Sequence, residues 1–300
     1  MDFGRLLTAM VTPFDENGKL SLERTTDLLE HLIRNGSDGV VVAGTTGESP
    51  TLSSEEKLLL FEHVVKVAAG RLKVIVGTGG NNTKQSAEFS REAAKLGVDA
   101  VMAVAPYYNK PNQEGLYAHY RTIAENVDVP VVVYNIPGRS KVNISAETMI
   151  RLSKIDNIVA VKEASGDLDQ MAEIISGTDE DFHLYSGDDG LTLPILAIGG
   201  QGVISVSSHI IGSEMKNMIT AFLDGDIKEA AFLHRAMLPL MRELFAAPNP
   251  APMKTMLNHL GIPVGGVRLP MVDLTDGERA SLVDVYSRFK SLSEQKIKNS

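Results

Sequence analysis

The chain places an amine where an apolar strand should simply end. In the segment IVAVKEASGD, residues 158 to 167, Ile158, Val159, Ala160 and Val161 form the kind of β-branched run that fills a parallel sheet, and Lys162 follows at once. Burial among apolar groups disfavours an ammonium, and the neutral amine is a nucleophile toward carbonyl carbon. That is the chemistry of a Schiff base. A lysine in this place could equally pair with an acid or snorkel out to water. Glu163 is a poor partner for it, because successive strand residues point to opposite faces.

Three further groups could serve such an amine. Tyr134 ends the preceding apolar run, Val131 to Tyr134, and could set a phenol beside Lys162, where loss of water from a carbinolamine needs a proton donor. A core tyrosine with a satisfied hydroxyl is the alternative. Thr45 and Thr46, in the turn Gly44-Thr45-Thr46-Gly47, offer hydroxyls and backbone N–H groups to a carboxylate or a proton relay. Arg139, after Ile136-Pro137-Gly138, offers a planar fork suited to a carboxylate, though an ordinary surface arginine would read the same. Metal chemistry is not expected. The seven histidines form no His-x-His or His-x-x-x-His pair, and the chain has no cysteine, which excludes thiolate nucleophiles, disulfides and Cys-based metal sites. Asp188-Asp189 could bind Mg²⁺, but adjacent loop acids more often cap a helix or face water.

The elements that must position these groups alternate. Eight short apolar runs recur with helical segments between them: Leu6 to Val11, Val40 to Gly44, Val74 to Gly77, Ala100 to Ala105, Val131 to Tyr134, Ile158 to Val161, Phe182 to Ser186 and Gly202 to Val206. Ser53-Ser54-Glu55-Glu56, Thr83-Lys84-Gln85-Ser86 and Ser145-Ala146-Glu147-Thr148 read as helix starts. The pattern predicts an α/β fold, a (β/α)₈ TIM barrel. A doubly wound sheet is the competing architecture, but no Gly-x-Gly-x-x-Gly turn follows the first strand. Helical periods over Glu214 to Leu223, Ile227 to Phe245, Pro252 to Leu260 and Gly277 to Leu292 exceed what one closing helix needs. They predict a barrel over 1–225 carrying the site and a C-terminal helical region over 226–300, with Ala246-Ala247-Pro248-Asn249-Pro250 as a breaker. In such a barrel the site lies at the carboxyl ends of the strands, and Thr45, Thr46, Tyr134, Arg139 and Lys162 all fall at or just past such ends.

Composition narrows the partners. A net charge of −9 argues against nucleic acid and anionic membrane surfaces, which need clustered cations. No apolar stretch approaches the length of a membrane span, and the start MDFGRLLTAMVTPF lacks the basic flank of a signal peptide, so a cytoplasmic location is expected.

Taken together, the segments GTTGESPTL, VAPYYNKP, YNIPGR, VAVKEASGD, LYSGDD and GGQGVISV resemble the dihydrodipicolinate synthase / N-acetylneuraminate lyase family of class I aldolases, from residue 1 to about 295. The resemblance implies an enzyme without an external cofactor, in which Lys162 forms a covalent imine with pyruvate. It implies a proton relay of Tyr134, Thr45 and Tyr108, the last supplied by a neighbouring subunit, and hence a homo-oligomer, with a dimer of dimers as the family's usual form. Thr46 would meet the pyruvate carboxylate, Arg139 the carboxylate of the second substrate, and Gly187 and Ile204 would line the pocket through their backbones. The Thr45-Thr46 pair and Arg139 resemble the branch that condenses pyruvate with L-aspartate 4-semialdehyde on the way to lysine and diaminopimelate. A sister lyase acting on a 2-keto-3-deoxy sugar acid or N-acetylneuraminate is the alternative. Lysine-sensitive members carry a histidine and a glutamate at the positions of Lys57 and Gln85. Feedback by lysine is therefore expected to be weak or absent here, although Ser49, Asn81 and Tyr107 remain.

Overall fold

The computed structural model describes residues 2–299, with side chains up to Leu292. Eight parallel strands close into a barrel: β1 (Leu6–Ala9), β2 (Gly39–Val42), β3 (Lys73–Gly77), β4 (Ala100–Val104), β5 (Val131–Asn135), β6 (Ile158–Glu163), β7 (His183–Ser186) and β8 (Gly202–Ser205). Each lies within one of the expected runs or departs from it by no more than two residues at an end. The chief difference is β6, which carries its ladder two residues further and takes Lys162 into the sheet.

Helices cover the outside because their starts are written in capping side chains. Ser53 forms a reciprocal capping box with Glu56 at the head of Ser54–Ala68, and Ser145 caps Ala146–Leu152. Between them, Asn82 rather than Thr83 caps Thr83–Ala94, one residue earlier than the sequence pattern suggests. The helix after β8 spans Ser208–Leu223 and starts six residues before its regular period. A non-helical Ile211 and the close approach of Gly212 to the Asn35 carbonyl interrupt its periodicity there. Three more helices, Ile227–Glu243, Ala251–His259 and Asp276–Asn299, make up the C-terminal region.

Register decides which side chains look inward. Val104 pairs with Tyr134, Tyr134 with Lys162, and Lys162 with Tyr185, so the four share one face of adjacent strands. Tyr185 also pairs with a residue two before Ile204, which puts Ile204 on that same face. An irregularity in β6 sets this phase. Val131 pairs with Ile158 but Val132 pairs with Ala160, which leaves Val159 as an extra residue in β6. Had the register of Ile158 run on unbroken, Val161 would face Tyr134 and Lys162 would point out toward the helices, because a one-residue slip exchanges the two faces of a strand.

Candidate active site

The carboxyl ends of the strands open into a cavity of about 760 Å³. Its wall takes in Thr45 from the β2 turn, Tyr134 from the end of β5, and Arg139 from the single helical turn Pro137–Ser140. Lys162 stands behind that wall, 6% exposed, with its Nζ 4.4 Å from the centre of the Tyr134 ring. Among the described residues it makes no ion pair, so the acid-paired alternative does not hold. Glu163, on the other face, is buried and accepts from Asn135 Nδ2 at 3.0 and 3.1 Å and from Ser165 N at 2.8 Å. Burial raises the Glu163 carboxyl above its ordinary range, and these donors pull the other way. The two neighbours thus do different work: Glu163 ties β6 to β5 and the following loop, and Lys162 is left to the barrel interior.

Gly187 follows β7, where a side chain would be in the way. A Cβ there would lie 2.7 Å from Ala164 Cβ and 3.2 Å from Lys162 Cε, so the space it leaves is occupied by the lysine's own stem. Ile204 is 1% exposed on the inward face of β8.

The threonine turn is tightly made. Ala43 and Glu48 adopt left-handed backbone at φ 50° and 55°, and a Cβ on Gly47 would stand 2.9 Å from Ala43 Cα. Thr45 is half-buried at the cavity, whereas Thr46 is 4% exposed and accepts a hydrogen bond from Asn249 Nδ2 at 3.0 Å. Glu48 pairs with Lys254 at 2.7 Å, both side chains being essentially sealed from water, and accepts from Arg268 N at 2.8 Å. Arg268 reaches on to Glu56, and both cations stack over Phe14, 4.0 and 4.2 Å from its ring centre. Burial pulls the Lys254 ammonium down to about 8, with Glu48 opposing. Asn249, Pro250, Pro270 and Met271 complete the cavity wall, so the C-terminal region contributes directly to the site. Sequence reasoning missed Asn249 and saw only a helix breaker; an Asn between two prolines carries no sign of a partner some two hundred residues away.

Tyr108 is set apart from the cavity wall. It is 88% exposed and held at φ 72°, in a three-residue turn closed by the Asn109 N–H on the Tyr107 carbonyl at 2.9 Å. Asn109 Nδ2 pins that turn to the Asn81 carbonyl at 2.8 Å. Ser49, Lys57, Asn81, Gln85 and Tyr107 all line the outer part of the same cavity. Lys57 lies over Phe89, 5.7 Å from its ring centre, and burial lowers its tendency to stay charged. Among the described residues no group of three or more His, Asp or Glu side chains is placed to hold a metal ion, and no helix is long and apolar enough to cross a membrane.

Comparison with known proteins identifies the family. Residues 2–288 match the Dihydrodipicolinate synthetase family. The chain belongs to that family. It is 61% identical to the 4-hydroxy-tetrahydrodipicolinate synthase of Listeria welshimeri over 276 residues, 91% of this chain and 94% of that one. A crystal structure of a dihydrodipicolinate synthase from Bacillus anthracis is 55% identical with a TM-score of 0.94, covering 95% of this chain and 98% of the other. A second, from Cyanidioschyzon merolae with lysine bound, is 47% identical with a TM-score of 0.94, over 96% and 98%.

Proposed function

We propose that this chain is a Schiff-base synthase that condenses pyruvate with L-aspartate 4-semialdehyde to 4-hydroxy-tetrahydrodipicolinate. The observation that carries the proposal is the buried Lys162 amine against the Tyr134 ring at the carboxyl ends of β5 and β6, behind a cavity that also presents Arg139. Lys162 Nζ attacks the ketone carbon of pyruvate, and loss of water gives an imine. Removal of a methyl proton converts the imine to an enamine, whose terminal carbon bonds to the aldehyde carbon of the semialdehyde. The amine of that substrate then attacks the imine carbon, closes the ring and expels Lys162 as the free amine. Every proton moved can be returned, so no external cofactor is called for.

In this reading Tyr134 and Thr45 carry protons to and from the carbinolamine oxygen. Thr46 donates to the pyruvate carboxylate, Arg139 holds the carboxylate of the semialdehyde, and Gly187 and Ile204 shape the floor. Tyr108 completes the relay in the partner's site. A tyrosine held at an exposed turn tip, rigid in its backbone and away from its own cavity, suits delivery to another protomer. A homo-oligomer with a dimer as its smallest active unit follows from that role. A tetramer as the full assembly, and function in the cytoplasm, belong to the same reading by resemblance to the family. The barrel over 1–225 supplies the chemistry, and the region over 226–300 props the threonine turn.

Arg139 favours the synthase over a sugar-acid lyase, since a short anionic aldehyde needs a cation where a long neutral chain needs hydroxyl-binding groups. A coupled assay separates the two. Turnover is expected with pyruvate plus aspartate semialdehyde and not with N-acetylneuraminate or 2-keto-3-deoxy sugar acids. Faster cleavage of a sugar acid than synthesis with the semialdehyde would reverse the assignment.

A further inference from the structure

The hydrogen bond between Asn249 and Thr46 joins the C-terminal region to the turn that would receive a carboxylate. Both side chains are buried, at 6% and 4% exposure, so water competes poorly for either. The direction of the bond is what matters. Asn249 Nδ2 donates and Thr46 Oγ1 accepts, at 3.0 Å. A hydroxyl has one proton to give and two lone pairs to receive. With Asn249 occupying a lone pair, the Thr46 proton stays available, and among the described residues it finds no acceptor. The Asn249 Oδ1 is also buried, and among the described residues it has no hydrogen-bond partner. Were the amide reversed, Oδ1 would take the Thr46 proton and leave the hydroxyl unable to serve an anion.

The amide is held from below. Asn249 precedes the helix Ala251–His259, and Lys254 of that helix pairs with Glu48, two residues beyond Thr46. Residues 249 and 254 thus clasp residues 46 and 48 at two points. One contact fixes the backbone of the turn, and the other fixes the polarity of its hydroxyl.

We infer that Asn249 is a positioning residue for substrate recognition: its side-chain amide orients the Thr46 hydroxyl so that the proton points to the carboxylate of the keto acid. This rests on the reading of Thr46 as the group that meets that carboxylate. The residue acts through Thr46, and its removal is felt in keto-acid affinity rather than in the later bond-forming steps.

The test is the pyruvate concentration that half-saturates borohydride trapping at Lys162, measured on the full-length wild type, Asn249→Ala, Thr46→Val and the double variant. Unfolding midpoints and steady-state KM and kcat are measured in parallel. Asn249→Ala should raise the half-saturating concentration by about 3- to 10-fold, the effect of one lost hydrogen bond, with kcat changed by less than about twofold. In the Thr46→Val background the same substitution should change it by less than about twofold, because the group it acts through is gone. Asn249→Asp keeps the shape and reverses the polarity, and should weaken pyruvate more than Asn249→Ala does. It also serves if the alanine variant fails to fold. Equal factors in both backgrounds, or a fall in unfolding midpoint with pyruvate affinity unchanged, would overturn the inference. If the wild type itself traps no pyruvate, it is the Schiff-base reading that fails.

Discussion

At the scale of single residues, the site depends on the space around one amine. Gly187→Ala would drive a methyl into Ala164 Cβ and the Lys162 stem, and the lysine is the part able to move. The variant should lose at least about tenfold in rate and about 1–3 kcal/mol in stability, as overpacked sites do, readable from initial rates and chemical denaturation. Unchanged activity would mean that Lys162 does not need its present path. Lys57 brings a cation to the outer cavity, and Gln85 is a neutral amide. The ammonium of a bound lysine would meet repulsion where it needs a carboxylate. Initial rates should be unaffected by micromolar L-lysine, and Lys57→His with Gln85→Glu should introduce inhibition; strong inhibition of the unaltered protein would refute this. The placement of Lys162 and Tyr134 was legible in the sequence because each stands at the end of an apolar run and so announces a strand end, and Arg139 because it lies in the loop that follows one. Asn249 and Lys254 were not, because their partners are joined to them only by the way the C-terminal helices fold back.

At the scale of elements, a bulge and a buried ion pair fix the site. The extra residue Val159 turns β6 so that Lys162 faces the interior, and nothing in the run Ile158 to Val161 reveals it: a uniform apolar strand carries no alternation from which to read phase. The eight strands were legible for the complementary reason, since uniform apolar runs between capped helices are the mark of a sheet buried on both faces. The Glu48–Lys254 pair clamps the threonine turn from outside the barrel. Lys254→Met should cost about 3–5 kcal/mol by leaving a buried carboxylate without its cation, and Glu48→Gln combined with it should recover part of that loss. Equilibrium denaturation checks the order. If the double variant proves no more stable than Lys254→Met, the clamp is not electrostatic.

At the scale of the whole molecule, buried histidines tie stability to pH. Burial holds His119 and His209 at about 4, against 6.5 for a free imidazole. Between those values the unfolded chain binds more protons, so stability falls as pH drops through the window, by up to about 3 kcal/mol for each group. Glu163 and Asp189, raised by burial, oppose this, so the clean measure is a difference. His119→Gln should lose about 2–3 kcal/mol less than the wild type between pH 7 and pH 4, and parallel curves would contradict the burial argument. Assembly is tested by complementation. Tyr108→Phe and Lys162→Ala chains are each expected to be nearly inactive, but co-expressed they should regain about a quarter of the wild-type rate, since half of random two-fold dimers hold one intact site.

Everything proposed for the site requires Lys162 to be the amine that bonds to pyruvate. Incubation with pyruvate and borohydride, followed by proteolysis and mass analysis, tests it most directly. The peptide bearing Lys162 should gain the mass of one pyruvic acid less one oxygen atom, and Lys162→Arg should abolish the gain. An unmodified Lys162 peptide, or an adduct on another lysine, would contradict the account.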